Sequence, residues 1–380
     1  MKSHYNIIIA GAGGIAEAAG LILAEWSSVT PTIYIGNRTL SKAQKVANWI
    51  MNGTTKPCNV IAFHLDPSNI TNEVTSILKN GDGLLDCLPG SLAPIMARHA
   101  KNNKLYYANL TEYVSETNQI IEMAKNAKTG FVLQTGLAPG YINLLANFMF
   151  QEFCKQHEVE QVKTLEFKVG ALTNHAVAPH FYGFTWSPVG VATEYLRDCI
   201  AIRDFKKTKL SALSERALII INGITYEEDL TSGGAADLPD ALSGKVQHLD
   251  YKTLRHQGHY GWVEKQLKGL NNTKDPISGL QKIMRDEIPH IEDDQVVIYA
   301  AVEGKDTNGI ARRQEIAKHI LPKQVGKHKL RAIQTTTAAP LVQAIQWLLE
   351  TKPQGILLQS QLNAKTFLNG AFVAPIYGKV

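Results

Sequence analysis

Through the first third of the chain, short apolar runs alternate with amphipathic stretches. The runs predict strands at Tyr5–Ala10, Thr32–Ile35, Val60–Phe63, Gly83–Cys87, Leu105–Ala108 and Gly130–Gln134, with helices between them, as in a doubly wound parallel sheet. The stretch Gln134-Thr135-Gly136-Leu137-Ala138-Pro139-Gly140 breaks this alternation and reads as an exit loop before a helix over Tyr141–Phe153. From Val162 the pattern changes. Val162–Leu172, Ala217–Ile221, Thr225–Leu230 and Gln295–Gly304 alternate as strands of a mixed or antiparallel sheet. Val296–Val302 and Ile310–Ile320 form a hairpin turning at Asp306-Thr307-Asn308-Gly309. Thr335-Thr336-Thr337-Ala338-Ala339-Pro340 then leads into an amphipathic helix, Leu341–Leu349, suited to docking back on the first domain. The expected class is α/β. A doubly wound domain covers 1–140 with 335–365, and an α+β domain with a mixed sheet covers 141–334.

The first predicted strand runs into Gly11-Ala12-Gly13-Gly14-Ile15-Ala16 and an Ala-rich helix, the strand–turn–helix context of a Rossmann dinucleotide site. Gly11 permits the tight turn, Gly13 lets the backbone approach a pyrophosphate, and Ala16 allows close packing of helix on sheet. The N–H groups at the start of the helix, at Gly14 and Ile15, face the anion. The second strand is followed by Asn37, Arg38 and Thr39, with no Asp or Glu for a ribose 2′-hydroxyl, so NADP is expected with Arg38 facing its 2′-phosphate. Arg38 lying flat over the adenine is the alternative and suits NAD. Asp86, Cys87, Leu88 and Pro89 should border the nicotinamide ribose, with Ser91 capping a helix from Leu92. Thr111 and Glu112 fall in the same crevice, or else start the helix Val114–Lys125.

Composition narrows the partners. The chain has 380 residues, enough for two domains, and is 44% hydrophobic with a net charge of +5 spread along its length. No stretch interleaves clustered Lys and Arg with aromatics, so nucleic acid is not an expected partner. No apolar run is long enough to cross a bilayer, and the first strand begins too early for a signal peptide, so the expectation is a cytoplasmic protein away from membranes. Cys58, Cys87, Cys154 and Cys199 form no C-x-x-C pair and read as reduced thiols. His256 and His259 have helical ligand spacing, but no carboxylate or cysteine nearby completes a set, and no metal is expected.

Several strings together resemble the saccharopine dehydrogenase family: the glycine turn, Gly136–Gly140, Trp186-Ser187-Pro188 with Glu194-Tyr195-Leu196, Thr231-Ser232-Gly233-Gly234, and Lys252-Thr253-Leu254-Arg255-His256-Gln257-Gly258-His259. The resemblance extends over nearly the whole chain. It implies a Rossmann domain completed by a C-terminal helix, an inserted mixed-sheet domain used in a homodimer, and a cleft for a small amino-acid or imine substrate. It also implies hydride transfer between a nicotinamide and a carbon–nitrogen bond. Two positions depart from the family pattern: Asn109 stands where Asp is frequent, and Ala138 where the saccharopine-forming branch has Asp before Pro. These favour a lysine 6-dehydrogenase-like enzyme over a saccharopine reductase. A carboxynorspermidine-type polyamine reductase is the enzymatic alternative, and a non-catalytic NADP-sensing or partner-binding protein the alternative of another class.

Such chemistry needs a carboxylate anchor and groups that move protons near neutral pH. Arg255 is the candidate anchor because its planar fork matches a carboxylate, with an internal ion pair as the competing role. Thr231, Ser232, Gly233 and His180 are the other candidates for substrate contact. His175, Tyr182 and Trp186 join His180 as a lid or wall, or pack as ordinary aromatics. Lys252, His259 and Asp86 are the candidate catalytic residues, since burial and neighbours can bring such groups to titrate near pH 7.

Overall fold

The computed structural model describes residues 4–185, 188–270 and 273–380, so Trp186 and Ser187 of the family-like string lie outside the described residues. The chain forms two compact units. The first opens with β1 (Tyr5–Ala10), α1 (Gly14–Trp26), β2 (Pro31–Asn37), α2 (Leu40–Gly53), β3 (Asn59–His64), α3 (Asn72–Asn80) and β4 (Gly83–Asp86). It continues through α4 (Ala93–Asn102), β5 (Tyr106–Asn109), α5 (Val114–Ala124) and β6 (Gly130–Val132). All of these strands pair in parallel, in the order β6-β5-β4-β1-β2-β3. Ile8, Leu84, Tyr107 and Phe131 bury one face against Met96, Ala97 and Ile120 of the helices, as expected where helices cover a parallel sheet. The β4–α4 connection differs from expectation. Gly90–Leu92 is a single 3₁₀ turn, and α4 starts only at Ala93, where Pro94 fixes a helical φ at the first turn; Ser91 does not cap it.

The second unit, Ile142–Pro322 with Arg331–Ile333, begins within α6 (Tyr141–His157). It carries β7 (Val162–Thr173), α7 (Pro188–Leu196), β8 (Cys199–Arg203), β9 (Lys206–Leu210), β10 (Ala217–Ile221) and β11 (Ile224–Leu230). After these come α8 (Leu238–Leu242), β12 (Val246–Arg255), α9 (His259–Gly269), α10 (Pro276–Glu287), β13 (Asp294–Lys305) and β14 (Ala311–Ile320). The sheet runs β10-β11-β12-β7-β13-β14, with β8 added to β12 and β9 to β8. It is mixed, because β12 and β7 are parallel while the other pairs are antiparallel. The β13–β14 hairpin turns where predicted. Asp306 Oδ1 accepts from the N–H groups of Asn308 and Ile310, and Gly309 takes φ 78°. Tyr182, Phe184, Tyr195, Tyr260, Leu280 and Met284 make an aromatic core among α7, α9 and α10.

The chain then returns to the first unit through a small pair, β15 (Lys323–Val325) and β16 (His328–Leu330). Next comes α11 (Ala332–Thr351), which starts well before the expected Leu341 and contains Pro340. Asp294 holds its first turn, accepting from Ala332 N–H at 2.7 Å and Ile333 N–H at 2.8 Å. Pro340 has no N–H to offer Thr336 one turn back, and the Tyr377 hydroxyl donates to that carbonyl instead at 2.5 Å. β17 (Gly355–Leu357) adds to β6 and completes a seven-stranded sheet. α12 (Ala364–Leu368) and α13 (Ala374–Tyr377) close the chain, with the Tyr377 ring stacked on Tyr141 at 3.5 Å.

Candidate active site

β1 and β4 are neighbours with β2 and β5 on their outer sides, so the sheet's strand order reverses between them. The crevice beyond their carboxyl ends is where this architecture receives a nucleotide. Gly11 follows β1 with φ 119°, its N–H donates to Gly36 O at 2.8 Å, and a Cβ there would lie 2.8 Å from Cys87 O. Gly13, the residue before α1, has open space around it: a Cβ there would meet nothing within 4 Å. Among the described residues no side chain caps α1, and the N–H groups of Gly14 and Ile15, in its first turn, have no partner within the helix. A bare turn with room above it and uncompensated N–H donors fits a dinucleotide pyrophosphate.

At the end of β2, Asn37 Oδ1 accepts from Thr39 N–H at 2.9 Å and shapes the turn into α2. Arg38 between them is exposed and has no ion-pair partner among the described residues. At the end of β4, Asp86 Oδ2 accepts from the Tyr107 hydroxyl at 2.7 Å and Oδ1 from Leu88 N–H at 3.1 Å. Burial lifts the Asp86 carboxyl to about 7 and also pushes the Cys87 thiol up. Pro89 O accepts from Leu92 N–H at 2.9 Å, closing the loop. Thr111 is buried and accepts from Tyr113 N–H at 3.3 Å, and its hydroxyl would be struck by a Cβ on Gly90. Asn109 joins this edge to the exit loop. Its Oδ1 accepts from Gln134 N–H at 2.9 Å and its backbone carbonyl from Thr135 N–H at 2.8 Å. Gln334 on α11 donates to Gly14 O at 3.0 Å, so the C-terminal helix braces the glycine turn.

In the second unit, β12 delivers Arg255 into the aromatic core at 2% exposure. Its Nε–H donates to the Tyr195 hydroxyl at 2.6 Å and Nη1 to Leu254 O at 3.0 Å, while its guanidinium lies over the rings of Tyr182 and Tyr195. The only ion pair formed by Arg255 among the described residues is with Glu194, at 3.9 Å. His259 is fully buried, with Nε2 3.0 Å from the Tyr195 hydroxyl and Nδ1 2.7 Å from His180 O. Burial, and then the charge of Arg255, hold it down at about 3. Tyr195 therefore joins Arg255 to His259, and His259 in turn holds the backbone of His180. Tyr195 stood inside a family-like string, but nothing in the local pattern gave it a role.

Thr231 meets Thr253 hydroxyl to hydroxyl at 2.6 Å; Ser232 N–H donates to Glu194 O at 3.0 Å; Gly233 follows with φ 90°. Lys252 is placed elsewhere. Strand alternation puts it on the opposite face of β12 from Arg255, where its Nζ donates to Glu215 O at 2.7 Å and lies 3.5 Å from Glu228. His175 pairs with Asp293 in an exposed contact at 3.5 Å.

The parallel sheet, glycine turn and uncapped helix start define a dinucleotide-binding protein of the Rossmann class. The saccharopine dehydrogenase NADP binding domain profile matches residues 7–133 and the saccharopine dehydrogenase C-terminal domain profile residues 136–371, so the chain belongs to the saccharopine dehydrogenase family. It is an NAD(P)-dependent dehydrogenase acting on small molecules. Its fold is similar to that of the L-Glu-forming saccharopine dehydrogenase of Saccharomyces cerevisiae, at 15% identity over 98% of each chain and a TM-score of 0.74. It is also similar to the homospermidine synthase of Legionella pneumophila, solved with NAD, at 13% identity over 99% of this chain and 90% of the other, with a TM-score of 0.69. Among the described residues no helix is long and apolar enough to cross a membrane.

Proposed function

We propose that this protein is an NADP-preferring oxidoreductase acting on a CH–NH or CH–NH2 group of an amino acid, with a lysine- or saccharopine-like substrate. The observation that carries this reading is the buried guanidinium of Arg255, whose one ion-pair contact among the described residues is Glu194 at 3.9 Å. A buried cation so thinly compensated suits a substrate carboxylate, and its planar fork suits a two-point grip. The nicotinamide supplies or accepts the hydride. Gly11, Gly13 and the start of α1 hold the pyrophosphate, Arg38 meets the 2′-phosphate, and the Cys87–Pro89 loop borders the ribose. His259 stays neutral and orients Tyr195. Exposed Leu218 and Ile220 on the edge strand β10, at 63% and 70%, support a homodimer formed through the mixed sheet.

A turnover screen of lysine, saccharopine and aldehyde–diamine pairs, each with NADP and NAD, tests the reading. NADP-dependent turnover of an amino acid is expected. Turnover confined to aldehyde–diamine pairs would favour the polyamine reductase reading, which the likeness to a homospermidine synthase keeps in view. Calorimetry tests the cofactor choice. Arg38→Ala should weaken NADP by roughly 1.5–3 kcal/mol, the worth of a charge-assisted contact, and leave NAD nearly unchanged. Equal affinities in the unmutated protein would remove Arg38 from the 2′-phosphate.

A further inference from the structure

At the carboxyl end of β4 the chain buries a carboxyl group that no cation among the described residues balances. Asp86 is 2% exposed and stands opposite Ala10 in the β1–β4 register, on the edge where the glycine turn begins. It receives, among the described residues, only neutral donors, the Tyr107 hydroxyl and Leu88 N–H. Among the described residues no Lys or Arg pairs with it. The titratable groups facing it are Tyr107 on β5 and Cys87 in the adjoining loop, and Asn109 adds a neutral amide 3.4 Å from the Tyr107 oxygen.

Tyr107 has a second acceptor, Ala93 O at 3.4 Å. The network therefore has two complete arrangements. With Asp86 ionised, Tyr107 donates to it. With Asp86 protonated, the carboxyl donates to the Tyr107 oxygen, and the Tyr107 hydrogen turns to Ala93 O. Leu88 N–H keeps its acceptor in both, so the loop that borders the cofactor holds its shape while its charge changes.

A dinucleotide brings negative phosphates to the start of α1, on the same edge of the sheet. We propose that Asp86 and Tyr107 are a positioning pair for the cofactor loop that takes up a proton as the dinucleotide binds. Burial has already brought the Asp86 carboxyl to about 7, so near neutral pH an added negative charge tips it toward the protonated form. The inference rests on the cofactor site and not on the choice of substrate.

Titration calorimetry tests it directly. NADH is the first probe, because it lacks the 2′-phosphate that itself titrates near neutral pH, and NADPH is run in parallel. At pH 7.5, in two buffers of different ionisation enthalpy, the unmutated protein should take up several tenths of a proton per site. Its affinity should fall several-fold between pH 7 and 8.5, the limit for one linked proton being about tenfold per pH unit. Asp86→Asn should abolish both effects and still bind, since an amide keeps the bonds to Leu88 and Tyr107. Tyr107→Phe removes a donor that favours the ionised form and should move the window to higher pH. No uptake in the unmutated protein, uptake that persists in Asp86→Asn, or a window unmoved in Tyr107→Phe would each overturn the proposal.

Discussion

Arg255 donates its Nε–H to the Tyr195 hydroxyl at 2.6 Å, and that bond sets the polarity of the cluster around it. Having accepted from Arg255, the hydroxyl turns its own hydrogen to His259 Nε2 at 3.0 Å. The other ring nitrogen faces the carbonyl of His180, which can only accept, so His259 carries its hydrogen on Nδ1 and is neutral. Tyr195→Phe keeps the ring but leaves a guanidinium N–H and an imidazole nitrogen buried without these partners. Stability in denaturant should drop by roughly 1–3 kcal/mol, with dinucleotide affinity unchanged. Urea titration and calorimetry on the same variant check this, and unaltered stability would mean the bond contributes nothing.

The buried state of His259 also fixes a pH dependence. Its pKa is depressed to about 3, below the ordinary value of 6.5, so the unfolded chain takes the proton first. The contribution is fully present above pH 6.5 and is lost as pH falls toward 3, by up to about 1.4 kcal/mol per pH unit. In His259→Gln, which carries no titrating proton, the slope of unfolding free energy between pH 6.5 and 4 should be shallower by close to one proton. An identical slope would mean that His259 is charged in the folded protein.

Much of the first unit was legible because each strand of the parallel sheet carries its own apolar run, and the glycine turn needs no distant partner to be recognised. β17 was not. Gly355–Leu357 is a three-residue strand whose pairing with β6 comes from far along the chain, and so short a segment has no period. The β8–β9 ribbon escaped for a similar reason: its strands are five residues each, Lys206–Leu210 is mostly charged, and only their pairing organises them. Pro340 suggested a helix boundary, and only the Tyr377 hydroxyl, folded back from the end of the chain, explains why α11 continues through it. At the candidate site, the Lys252–His259 string named the strand that carries Arg255, but strand alternation separates Lys252 from it. The partner that matters, Tyr195, is 60 positions away.

Two glycines in one turn should fail differently. Gly11→Ala places a Cβ 2.8 Å from Cys87 O at φ 119°, so the apo protein should lose roughly 1–3 kcal/mol of stability. Gly13→Ala meets nothing within 4 Å and should stay within about 1 kcal/mol of the parent, yet lose at least tenfold in dinucleotide affinity, because its methyl occupies the space the pyrophosphate needs. Thermal unfolding without ligand, followed by cofactor titration, separates the two. A Gly13→Ala protein that binds normally would place the pyrophosphate elsewhere.

The C-terminal helix offers a test by double substitution. Thr336 O lies where the N–H of residue 340 would bond in an unbroken helix, and Tyr377 supplies a donor in its place at 2.5 Å. Tyr377→Phe removes that donor while keeping the ring stacked on Tyr141, and should cost about 1–3 kcal/mol because the carbonyl is buried. Pro340→Ala restores an N–H one turn away, so in that background the loss of the Tyr377 hydroxyl should be smaller by at least about 0.5 kcal/mol, the coupling expected of groups that share one acceptor. Denaturant unfolding of the two single variants and the double variant gives the coupling directly. Strict additivity would show that Tyr377 holds α13 by its ring alone and that the helix passes Pro340 without its help.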